Sequence, residues 1–123
     1  MIVLDYQDRR SIYEQIAEKF QVLIIKGILE EDTKMPSVRQ LAMDLSINPN
    51  TIQRAYTLLE SKGYIYPVKG RGNFVAAKNL FIGEEKEQFY QNLRMQVKQG
   101  MTMAISYAEL VEYIEQVYKE GEV

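Results

Sequence analysis

The chain has 123 residues, enough for one compact domain and a small appendage, and its 46% hydrophobic and 26% charged content is ordinary for a globular protein. It contains no cysteine and no histidine, which removes disulfides, thiolate metal sites, the commonest general base and the commonest transition-metal ligand. The formal charge of −2 is unevenly spread: residues 34–78 carry seven Lys/Arg against Asp44 and Glu60, whereas residues 79–123 carry four bases against eight acids. No metal, cofactor or catalytic residue is expected. The opening MIVLDYQDRR lacks the basic start and long apolar run of a signal peptide. No apolar run approaches the roughly 18 residues of a membrane span, so no membrane partner and a cytoplasmic location are expected.

In chain order, Ser11-Ile12-Tyr13-Glu14 has the spacing of a capping box, in which the serine accepts from a first-turn amide while the glutamate reaches back. Ile12, Ile16, Phe20, Leu23 and Ile24 then recur on one helical face, and Gly27 supplies a left-handed stop. Ser37 starts a second helix, with Gln40 as box partner and Val38, Leu41, Ala42 and Leu45 facing inward. A third follows directly, with Asn48 as N-cap and Pro49 at the first helical position, where no amide hydrogen is needed. Ile52, Ala55, Tyr56 and Leu59 line its inner side, and Gly63 ends it. Tyr64–Val68 and Asn73–Ala76 read as short strands around Lys69-Gly70-Arg71-Gly72. Three helices and a two-stranded wing predict a winged helix-turn-helix DNA-binding domain over residues 1–78.

Residues 79–123 predict two amphipathic helices. The first covers Glu84–Gln99, with Phe89, Leu93 and Val97 on one face and Gly100 as its breaker. The second starts at Ser106, with Glu109 as box partner, and presents Tyr107, Leu110, Val111, Ile114, Val117 and Tyr118. A piece of about 45 residues is near the lower limit for a self-supporting core. Apolar surface is therefore left for the first domain or a second subunit. The expected dimerisation residues are Phe89, Leu93, Val97, Leu110, Val111, Ile114, Val117 and Tyr118. The fold class is mainly α with a small β wing (α+β), a winged helix-turn-helix followed by a two-helix dimerisation tail.

In a helix-turn-helix the second helix of the motif enters the major groove. Projected at about 100° per residue, Asn50, Arg54 and Thr57 fall opposite the buried side of that helix, with Thr51 and Gln53 on the flanks. Arginine can bridge guanine O6 and N7, and Asn or Gln can bridge adenine N6 and N7. Thr51 can donate to a phosphate alongside the helix-terminal amides. Arg39, in the first turn of the preceding helix, could reach a groove edge or a phosphate. Lys69 and Arg71 charge the wing turn, which Gly70 and Gly72 let tighten, and such a tip meets the minor groove or adjacent phosphates. Each residue alone has a plainer reading. Arg54 could be a solvated arginine, Gly70-Arg71-Gly72 a simple hairpin turn, and Arg39 a partner of Asp44 or of a helix end. Their joint placement, where one duplex would touch them all, favours DNA. Met95, Met101 and Met103 read as interface filling, and Glu84-Glu85-Lys86-Glu87 as a solvated helix start.

These residues resemble the N-terminal domain of GntR-family transcription regulators over about residues 9–77. The resemblance is carried by Ile12-Tyr13-Glu14-Gln15-Ile16, by Met35-Pro36-Ser37-Val38-Arg39-Gln40-Leu41-Ala42 and by Asn48-Pro49-Asn50-Thr51-Ile52. It continues through Leu59-Glu60-Ser61-Lys62-Gly63-Tyr64-Ile65 and Gly70-Arg71-Gly72-Asn73-Phe74-Val75. It implies a double-stranded DNA operator as partner, with family contacts falling on Arg39, Asn50, Thr51, Gln53, Lys69, Gly70 and Arg71. Arg54 is added by the helical projection. Many relatives place an arginine where this chain has Gln53, which bears on base preference. The short tail resembles the YtrA-like subfamily, whose members dimerise through it and often repress operons for ABC transporters. Other subfamilies carry longer effector domains, some with histidine metal ligands or an aminotransferase-like domain that binds pyridoxal phosphate. Such domains do not fit a tail this short without histidine. A small-molecule effector would need a cleft between tail and winged helix or between subunits, and no residue identifies it.

Two functions stay open. The leading one is a sequence-specific DNA-binding regulator, a homodimeric repressor reading an inverted repeat, where two half-sites multiply affinity through effective concentration. The alternative is a winged-helix protein–protein interaction module using the apolar stripes of the tail. An enzyme is not expected. No GxxxxGK[ST] loop is present, and Gly70-Arg71-Gly72 leads into a strand rather than a helix opening on phosphate.

Overall fold

The computed structural model describes residues 2–77 and 82–121. Its elements run α1 (Ile12–Ile25), α2 (Val38–Leu45), α3 (Pro49–Ser61), β1 (Ile65–Val68), β2 (Gly72–Val75), α4 (Ile82–Thr102) and α5 (Tyr107–Gly121). The chain divides into two compact units, Met1–Gly83 and Glu84–Val123. The boundary expected between 78 and 79 falls on residues 78–81, outside the described residues, as does Lys78. Five helices and an antiparallel two-stranded wing make the mainly α, winged-helix fold.

In the first unit α3 is gripped by α1 and α2. Ile52, Ala55, Tyr56 and Leu59 of α3 are buried against Ile16, Phe20 and Ile24 of α1 and Leu41 and Ala42 of α2. The Tyr56 ring meets Phe20 edge-on, with centroids 5.8 Å apart and planes at 86°. Its hydroxyl donates to the Pro36 carbonyl at 2.7 Å, linking α3 to the residue just ahead of the α2 cap.

The cap chemistry follows the sequence at three of four starts, Ser106 Oγ ahead of α5 accepting from Glu109 N at 3.1 Å. Ser37 Oγ accepts from Gln40 N at 3.1 Å, and Asn48 Oδ1 accepts from Asn50 N at 2.8 Å. At α1 the box is different from expectation: Ser11 Oγ donates to Glu14 Oε1 at 2.6 Å instead of accepting from an amide. That bond favours the charged carboxylate and pulls the Glu14 pKa down. Gln40 likewise does not reach back but donates to Asp44 at 2.8 Å.

Four helix ends close by the same pair of bonds, a left-handed residue donating to the third carbonyl back and its successor to the fifth. Gly27 and Gly63 serve α1 and α3, while Ser46 (φ 55°) and Ala104 (φ 60°) serve α2 and α4. Gly100 is therefore not a helix breaker. It lies inside α4, where its carbonyl accepts from Ile105 N at 2.9 Å and the Ile105 side chain lies alongside it.

Two features were not anticipated. Residues 32–35 run along β2, with Asp32 N donating to Val75 O, Val75 N to Thr33 O and Met35 N to Asn73 O, all at 2.8–2.9 Å. Pro36 favours this by pushing its predecessor into extended conformation. Gln15 is buried and clamps the N-terminal segment: its Oε1 accepts from Asp5 N at 2.9 Å and its Nε2 donates to Asp5 O at 2.8 Å. Ile2 and Leu4 thereby pack against the core.

Burial pushes the Tyr56 phenol above its ordinary value. The unfolded chain then loses this proton first, so stability is whole below about pH 10 and falls as pH rises beyond it. Tyr56→Phe should cost about 1 kcal/mol near neutral pH, the worth of one buried hydrogen bond. In urea unfolding across pH, the variant should decline less steeply than the wild type on the alkaline side.

Candidate nucleic-acid interface

All eight residues expected to face DNA lie in the first unit, and none is buried. Asn50, Gln53 and Arg54 are exposed on α3, and Thr51 is half-exposed in its first turn. Burial of Ile52, Ala55, Tyr56 and Leu59 leaves the opposite face of the helix to solvent, as the projection requires. Arg39 is exposed in the first turn of α2. Lys69, Gly70 and Arg71 form the wing turn, closed by Arg71 N donating to Val68 O at 2.9 Å with Gly70 at φ 76°.

Hydrogen bonds refine what this face can offer. Thr57 Oγ1 donates to Gln53 O at 2.9 Å, and Gln53 Nε2 contacts the same hydroxyl at 3.4 Å, aligning the Gln53 amide along the helix. The opening amides of α3 are already used: Pro49 has none, Asn50 N is taken by Asn48 Oδ1 and Thr51 N by Asn48 O at 2.9 Å. The helix terminus thus has less to give a phosphate than expected, and the Thr51 hydroxyl remains its donor.

The Arg54 guanidinium carbon lies 4.2 Å from the centroid of the Tyr13 ring on α1. At the wing, Arg71 sits 5.9 Å over the Phe74 ring, which stacks on Tyr66 at 5.9 Å. Tyr66 in turn donates to Asp32 Oδ1 at 2.7 Å, a bond that raises the Tyr66 pKa by favouring its protonated form. Among the described residues the ion pairs are Arg10 with Asp8, Arg10 with Glu18, and Lys119 with Glu115. The Arg10 contact holds the Asp8 carboxyl at about 2. None of these pairs involves Arg39, Arg54, Lys69 or Arg71, and Asp44 faces Gln40 rather than Arg39.

Lys34 stands beside the wing, next to the candidate residues. Its charge was visible, but not its position. Its Cε lies 3.3 Å from where a Cβ on Gly72 would stand, so its stem crosses the base of the wing. No local pattern links those two positions; the pairing of residues 32–35 with β2 does.

A hollow of about 710 Å³ in this unit is mainly apolar and lies between Ile2, Leu4, Phe20, Leu23, Leu41 and Leu45. It includes none of the eight candidates. Among the described residues no cluster of His, Cys, Asp or Glu could hold a metal, and no helix is long and apolar enough to cross a membrane. In the second unit α5 buries none of its residues, and Phe89, Leu93, Val111, Ile114, Val117 and Tyr118 are all exposed. Val97 and Leu110 are half-exposed, beside a groove of about 390 Å³ between α4 and α5.

Residues 12–75 match the model of the family described as bacterial regulatory proteins, gntR family. The HTH-type transcriptional repressor YtrA of Bacillus subtilis (strain 168) is 32% identical over 119 residues, covering 95% of this chain and 92% of that protein. A GntR family transcriptional regulator from Listeria monocytogenes, known as a solved structure, superposes with a TM-score of 0.71 at 30% identity, covering 92% of this chain and 98% of the other. The DNA-binding domain of AraR, solved in complex with operator ORE1, superposes with a TM-score of 0.53 at 30% identity, over 62% of this chain and 93% of that one.

At φ 107°, Gly72 holds a conformation that costs an L-residue about 1–2 kcal/mol. Gly72→Ala should lose at least that in urea unfolding, because its methyl also meets Lys34. Gly70→Ala, at φ 76° with open space around it, should lose the backbone part alone.

Proposed function

Because the chain belongs to the gntR family of bacterial regulatory proteins, transcription regulators rather than enzymes, we propose that it is a homodimeric repressor reading an inverted-repeat operator. The carrying observation is the outward face of α3, where Asn50, Thr51, Gln53 and Arg54 stand together while Arg39 and the wing cations carry no ion pair among the described residues. A face built for solvent alone has no need of hydrogen-bonding side chains sized for base edges beside unpaired cations. Asn50 and Gln53 would read bases in the major groove. Arg39, Thr51, Lys69, Gly70, Arg71 and Lys34 would hold phosphates or the groove edge.

Dimerisation would run through the Glu84–Val123 unit. Phe89, Leu93, Val97, Leu110, Val111, Ile114, Val117 and Tyr118 offer apolar area that the unit does not bury on itself. The near full-length match to a repressor supports repression, and a transporter operon is the target that the YtrA-like resemblance suggests. Two linked half-sites would raise affinity well beyond that of one small module.

Selection from a randomised duplex pool tests this reading. The wild type should enrich an inverted repeat, and binding should weaken steeply with salt as phosphate counterions are released. Asn50→Ala and Gln53→Ala should each cost about 1–3 kcal/mol and relax one position of the selected site. Failure to enrich any sequence would count against a sequence-specific regulator. Ile114→Asp should sediment as a monomer and lose roughly a hundredfold in operator affinity, the scale of lost bivalency. An unchanged dimer would remove α5 from the interface.

A further inference from the structure

The stack of Arg54 on Tyr13 separates this arginine from the base-reading residues around it. On α3 it lies about 40° from Asn50 around the axis, and its contact with Tyr13 turns it toward α1. Gln53 leaves the helix on the other side of Asn50. The ladder Arg54, Leu58 and Lys62 continues along this flank, where Leu58 and Lys62 border a shallow polar recess with Arg10, Glu14, Glu18 and Gln21. By helix position Arg54 belongs to the outward face beside Asn50, and it is the contact with Tyr13 that draws its guanidinium aside, toward α1 and the rim of that face.

The chemistry of the stack matters as much as its place. A guanidinium lying on an aromatic face is held through its own face, which leaves the N–H donors around its edge available. Arg54 is exposed and makes no ion pair among the described residues. Glu14, an acid whose charge Arg54 also feels, is engaged by Ser11 at 2.6 Å. A long side chain that would otherwise sample many rotamers is thus held in place, with its donors unspent.

We infer that Tyr13 is a positioning residue that holds Arg54 at the rim of the recognition face, where it takes a backbone phosphate rather than a base edge. This rests on the DNA-binding reading above. Tyr13 touches no nucleotide; it acts through Arg54.

The test uses the full chain, a duplex selected by the wild type and a scrambled duplex of equal length, each titrated across a salt series. Arg54→Ala should weaken both duplexes by a similar factor, about tenfold, and make the log–log salt slope shallower by about 1. Tyr13→Phe should bind like wild type, because it keeps the ring. Tyr13→Met, which keeps bulk without the ring, should lose part of the Arg54 effect on both duplexes, and the double variant should be no weaker than Arg54→Ala alone. In the free wild-type protein, the Arg54 side-chain protons should be shifted upfield in NMR by the Tyr13 ring current. An Arg54→Ala variant that alters preference at one base position with an unchanged salt slope would make Arg54 a base reader and overturn the inference. Losses that multiply in the double variant, or an absent ring-current shift should Tyr13→Met not fold, would overturn the role of Tyr13. Any of these leaves the regulator reading standing, whereas a wild type that binds no duplex at low salt removes both.

Discussion

The winged-helix unit depends on the burial of one side chain, Tyr56. Its ring sits edge-on against Phe20 of α1, and its hydroxyl reaches the carbonyl of Pro36, so a single residue ties α3 to the scaffold helix and to the entry of α2. Tyr56 is buried, and its hydroxyl would be costly to leave without a partner. With Tyr56, Ile52, Ala55 and Leu59 committed inward, helical periodicity leaves Asn50, Gln53 and Thr57 no choice but to face outward. The outer face is thus aimed from the inside.

The turn between α2 and α3 shows how that aim is kept. Ser46 adopts the left-handed conformation usually given to glycine, at a cost of about 1 kcal/mol. The partly buried Ile47 that follows packs on the core and donates to Ala42 O at 2.9 Å, which offsets the strain. Ala104 and Ile105 repeat the arrangement at the end of α4, with Ile105 lying over Gly100. Apolar closure replaces the glycine in both turns, and each is stiffer for it. A stiff turn suits a motif whose two helices must present their side chains together.

The Glu84–Val123 unit has the opposite character. Its helices carry apolar stripes, yet α5 buries no residue, and rings such as Phe89 and Tyr90 meet each other at 5.5 Å while both remain exposed. A unit this small cannot enclose its own apolar surface. That imbalance is the physical ground for proposing a second copy as its partner, and it needs no appeal to relatives.

Much of the fold was legible because it is local. The stripe of α1, the caps at Ser37 and Asn48, the stops at Gly27 and Gly63 and the outward set on α3 all depend on residues within a few positions of one another. Gly100 differs from its local reading for the same reason: a glycine near a helix end looks like a stop, yet α4 runs on to Thr102 and its turn closes at Ala104 and Ile105. The strand-like rung at residues 32–35, the Gln15 clamp on Asp5, Lys34 across Gly72 and Arg54 on Tyr13 left no trace in any sequence window. The sequence by itself determined which residues could form the elements and which chemistry the outer face carries, since periodicity and cap preference act over one or two turns. Only the tertiary structure decided how Arg54 and Lys34 are held, because each is oriented by a group that packing brings to it from a distant part of the chain.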